Sequence, residues 1–141
     1  MKLIDFIICD DIRNEVGNKH SIIGVYGESI QFKVPPMEKG KWPKGLKIAF
    51  FIRIKLEKDD DITKLNKFKL NVIFNEKIKT LAEGVINIDL NSKGIVLAVV
   101  FNQFVFENSG IMSASVELMD SAGLAIHYFE IPDKINISEI I

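Results

Sequence analysis

Strict alternation of large apolar residues with other residues runs along one stretch of this chain. From Leu46 to Leu56 every second residue is apolar: Leu46, Ile48, Phe50, Ile52, Ile54 and Leu56. A helix with one buried face repeats every 3.6 residues and a β-strand every two, so only a strand places all of them on one face. The stretch is therefore predicted to be a strand whose alternate side chains enter one core, because a slip of one residue would turn the whole set to solvent.

Shorter runs with the same period extend this prediction over most of the chain. The 23 Ile, 10 Val and 10 Phe against only 6 Ala favour sheet over helix. Turn-forming residues separate the runs. About nine strands are predicted, near 2–9, 19–26, 29–34, 46–57, 67–75, 78–90 (broken around 82–84), 95–106, 111–119 and 124–131. The run 95–106 is apolar on both faces, which is typical of a central strand covered on both sides.

Closely spaced strands with no helix between them indicate an all-β protein, a single antiparallel β-sandwich of the immunoglobulin-like or C2-like kind. A length of 141 residues suits one domain, 1–141. The end of the chain, 132–141, alternates apolar with polar residues and is predicted to be an edge strand or tail of that domain. The alternative is that it adds to the sheet of a neighbouring copy.

Composition excludes several classes of protein. No run reaches 18 apolar residues, so no transmembrane helix is expected. The first ten residues contain Asp5 inside an apolar run and no cleavage pattern, which argues against a signal peptide. A single cysteine excludes a disulfide framework within the chain and a cysteine-based zinc site. We therefore expect a cytoplasmic protein with no membrane association and no cofactor.

The loop 37–47 concentrates positive charge around the only tryptophan. Between positions 33 and 47 the chain has five lysines and one glutamate. A tryptophan ring flanked by ammonium groups can stack on a base or sugar while the lysines hold phosphate. The candidate binding residues are Lys39, Lys41, Trp42 and Lys44. The alternative is that Trp42 folds back onto the end of the sandwich. Because only two arginines are present, sequence-specific nucleic-acid recognition is not expected.

Residue types that carry catalysis are few and scattered. Cys9, His20 and His127 form no recognisable catalytic motif. No catalytic residue is assigned, and the chain is not expected to be an enzyme. The acidic groups at 10–11 and 59–61 leave one enzymatic alternative, which requires their carboxylates to converge within about 5–9 Å. A metal site is not expected, because the spacing of these acids matches no calcium-binding loop.

The stretch after the first strand is predicted to form a hairpin. Gly17-Asn18 supplies the positive φ values that a tight turn needs. A guanidinium can bridge two carboxylates, and Arg13 has three of them close by in sequence. A structural role in pinning the hairpin to the first strand is therefore predicted for Asp10, Asp11, Arg13 and Glu15.

The same region carries a specific string: Cys9-Asp10-Asp11-Ile12-Arg13, Glu15, Gly17-Asn18-Lys19, Ser21 and Ile23-Gly24-Val25-Tyr26. It resembles a family of short uncharacterised bacterial and phage-associated proteins with a CDD-R-E-GNK-S-IGVY-like signature before a proline-containing segment. Pro35, Pro36 and Pro43 occupy that segment here. The resemblance covers roughly residues 7–45. It implies one domain and a cytoplasmic location, and it implies no activity.

These observations predict a non-enzymatic binding or interaction module, associated with phages or mobile elements through the resemblance. The alternative is a protein that binds a small phosphorylated or nucleotide-like ligand at the loop 37–47. Positions 33–69 hold eleven basic residues against five acidic ones, and positions 101–141 hold one against six. If these segments form separate surfaces, copies attract each other, which predicts a homodimer. If folding interleaves them, the attraction cancels. Besides a second copy of itself, the module is expected to bind a protein partner that the sequence does not identify.

Overall fold

The computed structural model describes residues 1–141. It contains ten strands and two 3₁₀ turns of three residues, at Pro36–Glu38 and Ile62–Lys64. Neither turn is long or apolar enough to cross a membrane. The strands are β1 (Lys2–Glu15), β2 (Lys19–Val25), β3 (Ser29–Lys33), β4 (Lys44–Lys55), β5 (Lys67–Phe74), β6 (Lys77–Val85), β7 (Gly94–Phe106), β8 (Gly110–Met119), β9 (Ala125–Glu130) and β10 (Ile135–Ile140). The all-β prediction is confirmed.

The first sheet has four strands in the order β2-β1-β4-β7, all antiparallel. The alternation that begins at Leu46 lies on β4, whose inward residues enter the core as predicted. Ile48, Phe50 and Ile54 have no exposed surface, Ile52 is 1% exposed, and Leu46 packs at the margin of the same core. The period of two in the sequence thus selects the face of this strand that enters the main core.

The strand β7 lies at the edge of this sheet, so the prediction of a central strand over 95–106 is wrong. It pairs with β4 alone. Its inward side chains pack on the core, while Val96 and Val100 on the outer face are 47% and 38% exposed. Apolar residues on both faces of a strand therefore do not show that both of its sides are paired.

The second sheet has the order β3-β10-β8-β5-β6. The strands β9 and β10 pair with different parts of β8, on the same side of it. Between them, the N–H of Ile131 donates to the Ala114 carbonyl at 2.9 Å. The two strands thus run along β8 as one interrupted strand. On its other side β10 pairs with β3 in parallel, so the sandwich is not purely antiparallel.

The C-terminal segment therefore forms a strand inside the sheet, between β3 and β8. The prediction that 132–141 is an edge strand or tail is wrong. Ile135 and Ile137 are 1% and 0% exposed and belong to the core. Their burial accounts for the position, because an apolar strand is stabilised most where a neighbour covers each side. The segment pairs with β3 over 136–140 and with β8 over 135–137, so it adds to a sheet of its own chain.

Two other boundaries differ from prediction. The first strand continues to Glu15 instead of ending near position 9, because the polar residues after Cys9 pair with β2 in the register that joins Glu15 to Lys19. At the turn, Gly17 and Asn18 have φ values of 86° and 55°, as predicted. The strand β6 ends at Val85, before the predicted 90, and Ile86 then enters the core at 8% exposure.

Both sheets contribute to one core of twenty buried side chains, which lies between them. A second, smaller cluster lies on the outer face of the first sheet, where Cys9, Ile12, Ala49 and Phe51 are buried together. The β1–β2 hairpin covers this cluster, with the His20 ring edge-on to Phe51 at 5.5 Å. The outer face of β4 is thus partly covered, and the outer face of β7 beyond it is not.

Candidate functional site

A cleft opens between the second half of β7 and the β5–β6 hairpin, where the edges of the two sheets face each other. Its volume is about 570 Å³. Half of the lining residues are apolar. The lining consists of Val72, Phe74, Asn75, Lys77, Lys79, Thr80, Leu81, Phe101, Gln103, Phe104, Val105, Phe106, Glu107 and Asn108. Clefts of this size take small molecules in many proteins.

Phenylalanine rings form the floor of the cleft. The ring centroids of Phe101 and Phe104 are 6.1 Å apart, and those of Phe104 and Phe106 are 4.9 Å apart. Phe74 from β5 is 5.9 Å from Phe106. Phe106 is buried, whereas the other three rings are half-buried. Tilted and edge-on contacts of this kind fix the rings and leave part of their surface to a ligand.

A β-bulge in β7 brings these rings together. Leu46 of β4 lies opposite Phe104 and Ile48 lies opposite Phe101, so β7 has one residue more than β4 over this interval. Without the extra residue, side chains three positions apart would point to opposite faces of the sheet. The bulge turns Phe101 and Phe104 to the same inner face. The polar pair Asn102-Gln103 interrupts the apolar run at this bulge.

Lysines on the inner face of β6 form the opposite wall. Lys77 lies opposite Phe74 and Lys79 opposite Val72, whose side chains point inward. Ammonium groups must stay in contact with water, so this edge of the second sheet cannot close over β7. The cleft therefore follows from the charge placed on the inner side of an edge strand. The remaining polar groups of the lining include Gln103 and a single carboxylate, Glu107.

The predicted ligand loop is largely engaged within the chain. The Trp42 ring is half-buried against the core and edge-on to Phe32 at 5.8 Å. The Lys44 ammonium lies 5.1 Å from the centre of that ring and 3.4 Å from the Glu139 carboxylate. Trp42 thus folds back onto the sandwich, which is the alternative stated above.

The other two lysines of this loop remain at the surface. Lys39 is exposed, and Lys41 is exposed with its ammonium 3.6 Å from Glu38. The structure does not place them beside the cleft lining. Ligand binding by this loop stays a prediction.

The hairpin residues are brought together, but not through Arg13. Its guanidinium approaches only Asp11, at 3.7 Å, and remains 68% exposed, so the predicted bridge between two carboxylates is absent. Lys47 lies closer to Asp11, at 3.0 Å, and its hydrogen bond is the main reason that the pKa of this carboxyl is lowered. Glu15 accepts a hydrogen bond from the Ser21 hydroxyl at 3.0 Å.

Asp10 contacts the segment that follows the second strand of the hairpin. Its carboxylate accepts a hydrogen bond from the Tyr26 hydroxyl. Burial is the main reason that the pKa of Tyr26 is raised, and this hydrogen bond is the second reason. Gly24 faces Asp10 with a φ of 67°, and a Cβ there would meet the Asp10 side chain, so a larger residue at this position would be strained. Each carboxylate thus has its own partner on β2 or β4, or in the segment after β2.

The acidic loop 59–61 is also engaged within the chain. Asp60 lies 2.7 Å from the Met1 ammonium, which is the main reason that its pKa is lowered. Asp61 accepts hydrogen bonds from Thr63, which lower its pKa. Position 60 is next to the start of β1, while Asp10 lies about nine residues along it, roughly 30 Å at 3.3 Å per residue. The two acidic groups do not converge as the enzymatic alternative requires.

The remaining reactive side chains lie apart. Cys9 is fully buried, and burial raises the pKa of its thiol to about 11. His20 packs on Phe51 on the first sheet, whereas His127 stacks on Phe129 on the second. Neither histidine hydrogen-bonds to Cys9, whose Sγ donates to the carbonyls of Asp11 and Ala49.

No protein-family model matches this chain, and a search of curated proteins returns no matching sequence. The N-terminal resemblance therefore stays a prediction. The cleft between β6 and β7 is the best-formed candidate site, and sequence reasoning did not identify it.

Proposed function

We propose that this protein is a non-enzymatic binding module whose β6–β7 cleft takes an amphipathic small molecule, with an aromatic or branched apolar group and an anionic group. The observation that carries the proposal is the set of ring surfaces aligned by the bulge opposite the inward-facing Lys77 and Lys79. Rings left half-exposed in a concave site favour an apolar ligand group, because covering them removes apolar surface from water.

The polar lining supports the anionic part of the ligand. Two ammonium groups and one carboxylate give the cleft a net positive charge. A carboxylate or phosphate beside Lys77 and Lys79 gains charge-assisted hydrogen bonds while the apolar group lies on the rings. The lining supplies rings, amides and ammonium groups, which recognise a ligand, and this favours binding over catalysis.

Fluorescence of 1-anilinonaphthalene-8-sulfonate tests the proposal, because this probe joins an aromatic group to an anion. We expect saturable binding with an increase in emission at one site per chain. Phe104→Ala removes part of the floor and Lys79→Glu reverses the charge of the wall. Each is expected to weaken binding by about tenfold.

The matched controls change the same chemistry away from the cleft. Tyr128→Ala removes an exposed ring from β9, and Lys19→Glu reverses an exposed charge on β2. Both are expected to bind the probe like the natural sequence. Loss of binding in the controls to the same extent as in the cleft variants would place the probe elsewhere and contradict the proposal. Circular dichroism and thermal unfolding of each variant establish that it is folded.

A further inference from the structure

The free edge of β7 exposes main-chain groups that no strand of this chain pairs. The Leu56 N–H donates to the Lys93 carbonyl at 2.9 Å, immediately before β7 begins. Hydrogen-bonded and non-hydrogen-bonded pairs alternate along an antiparallel ladder. Ile95, Leu97 and Val99 therefore direct their main-chain groups toward β4. The main-chain groups of Val96, Ala98 and Val100 point away from β4, to the free edge.

This edge lacks the features that keep other strand edges from pairing. Over its 13 residues β7 has no charged residue and no proline. The other strands that pair on one side only each contain at least one lysine or glutamate: β2 has Lys19, β3 has Lys33, β6 has Lys77, Lys79 and Glu83, and β9 has Glu130. Charges and proline at an edge oppose pairing with another chain, and a long apolar edge without them favours it.

The sequence of β7 is nearly symmetric about Ala98. Val96 and Val100 flank it on the outer face, and Leu97 and Val99 flank it on the inner face. A strand with this pattern is complementary to a second copy of itself running antiparallel. An interface on a two-fold axis requires such a self-complementary surface.

We propose that two copies of this chain pair along β7 in antiparallel orientation, with the two-fold axis beside Ala98. Ala98 then lies opposite Ala98 of the second copy, and Val96 lies opposite Val100. The pairing adds about six main-chain hydrogen bonds and joins the two four-stranded sheets into one.

The regular part of β7 sets this register. Residues 94–101 pair with β4 without interruption, and the bulge follows at once. Ala98 is the residue nearest the middle of that segment whose main-chain groups face the free edge. Centring the pair there gives the longest overlap before the bulge bends the strand.

Apolar contact accompanies the hydrogen bonds. On the outer face Ala98 lies opposite Phe51 of β4 and Val100 lies opposite Ala49, both of which belong to the smaller apolar cluster. In the pair, the stripe Val96-Ala98-Val100 continues from this cluster into the same stripe of the second copy. Surface of Val96 and Val100 that is exposed in one chain becomes covered, which favours association.

Sedimentation velocity at micromolar concentrations tests the proposal. The natural sequence is expected to sediment as a dimer. Val100→Glu places two carboxylates in the interface, one from each copy, opposite valine. It is expected to raise the dimer dissociation constant by roughly tenfold, because each carboxylate replaces an apolar contact with Val96 of the second copy and gains no partner. Ala98→Pro removes the central N–H that faces the edge and is expected to give monomers, since an edge position tolerates proline within the fold.

The double variant Val96→Lys with Val100→Glu tests the register. Each lysine then lies opposite a glutamate of the second copy, so the dimer is expected to return, whereas either change alone weakens it. Ile126→Glu on β9 is the matched control, since Ile126 is 37% exposed and Val100 is 38% exposed. It is expected to remain a dimer.

Three results would overturn the proposal. The first is a monomer for the natural sequence at about 100 µM. This holds even if a peptide of another sequence, when added, pairs with the free edge of β7. The second is a dimer that Val100→Glu and Ala98→Pro leave unchanged. The third is failure of the double variant to restore a dimer that both single changes weaken. Circular dichroism and thermal unfolding of each variant distinguish loss of association from loss of fold. None of these results depends on the binding of the sulfonate probe in the cleft.

Discussion

Phe50 occupies the middle of the core, with none of its side chain exposed and its ring edge-on to Phe101 at 5.9 Å. Through Phe101 it also supports the floor of the cleft. Charged side chains show the opposite arrangement, since each carboxylate of the hairpin has a specific polar partner at the surface. Single substitutions therefore separate the contributions of packing and of charge to stability.

Phe50→Ala is expected to lower the free energy of unfolding by about 3–5 kcal/mol, because it removes a ring from a site with no access to water. Urea denaturation followed by circular dichroism measures this. Val16→Ala is the control, since Val16 is 93% exposed and its truncation is expected to change stability by less than about 0.5 kcal/mol. Equal effects of the two changes would contradict the assignment of Phe50 to the core.

Lys47→Met is expected to raise the pKa of Asp11 toward its ordinary value, because the Lys47 hydrogen bond is the main cause of the lowered pKa. Arg13→Ala is expected to raise it less. The pKa of Asp11 is lower in the folded chain than in the unfolded chain. The carboxylate therefore stabilises the fold above its unfolded pKa, and this contribution is lost as the pH falls through the folded pKa.

Carboxyl chemical shifts, followed by NMR as a function of pH, measure the pKa of Asp11 in each variant. A larger increase in the pKa of Asp11 in Arg13→Ala than in Lys47→Met would contradict the assignment of Lys47 as the main partner. It would show that the Arg13 guanidinium is the main partner instead.

The strands of the second sheet show how one element depends on another. The side of β8 away from β5 is shared by β9 and β10, and only β10 connects β8 to β3. Removing β10 would expose core side chains of its neighbours and leave β3 without a partner. The end of the chain is therefore part of the fold.

A chain ending at Asp133 is expected to be unfolded or to lose most of its stability. It lacks Ile135 and Ile137, which are buried, and the pairing of β3 with β10. Each buried isoleucine contributes about 2–5 kcal/mol, a large part of the stability of a domain of this size. Thermal unfolding measures the effect. A chain shortened only by Ile141, which is 66% exposed, is the control and is expected to unfold like the natural sequence. Cooperative unfolding of the shorter chain near the natural temperature would contradict the role of β10.

The whole molecule interleaves its basic and acidic segments. Lys69 of β5 lies opposite Glu117 of β8, and the Lys44 ammonium lies 3.4 Å from Glu139. Residues from the two segments are thus neighbours on one surface. Attraction between separate charged faces is weakened, and the proposed dimer relies on main-chain hydrogen bonds and apolar contact.

Raising NaCl from about 0.05 M to about 1 M is therefore expected not to weaken the dimer formed along β7. Salt shortens the Debye length to about 3 Å at 1 M and screens exposed charges, but it leaves buried hydrogen bonds and apolar contacts in place. Sedimentation velocity at the two salt concentrations measures this. Dissociation at high salt would show that charge drives association, as the segment charges alone suggest.

Much of the secondary structure and one face of the core follow from local pattern. The alternation along β4 correctly predicted which of its side chains enter the core between the two sheets, and Gly17-Asn18 correctly predicted the turn between β1 and β2. The alternation did not predict the burial of Ala49 and Phe51 on the other face of β4. Both correct predictions concern properties of a short stretch of backbone, since side chains alternate along any strand and positive φ is a property of one or two residues. The candidate site did not follow in this way, because its two walls come from strands of different sheets.

Long-range pairing accounts for the features that the pattern did not predict. A strand with apolar residues on both faces is compatible with a central or an edge position in a sheet, and β7 lies at the edge. Conversely, the C-terminal strand has the alternation of an edge strand and lies inside the sheet. The main-chain groups that pair strands are the same in every residue except proline, so local sequence specifies that a segment is a strand but not which strands become its neighbours. Burial of the whole apolar surface at once selects the strand order, and with it the bulge that aligns the rings, the open cleft and the free edge of β7.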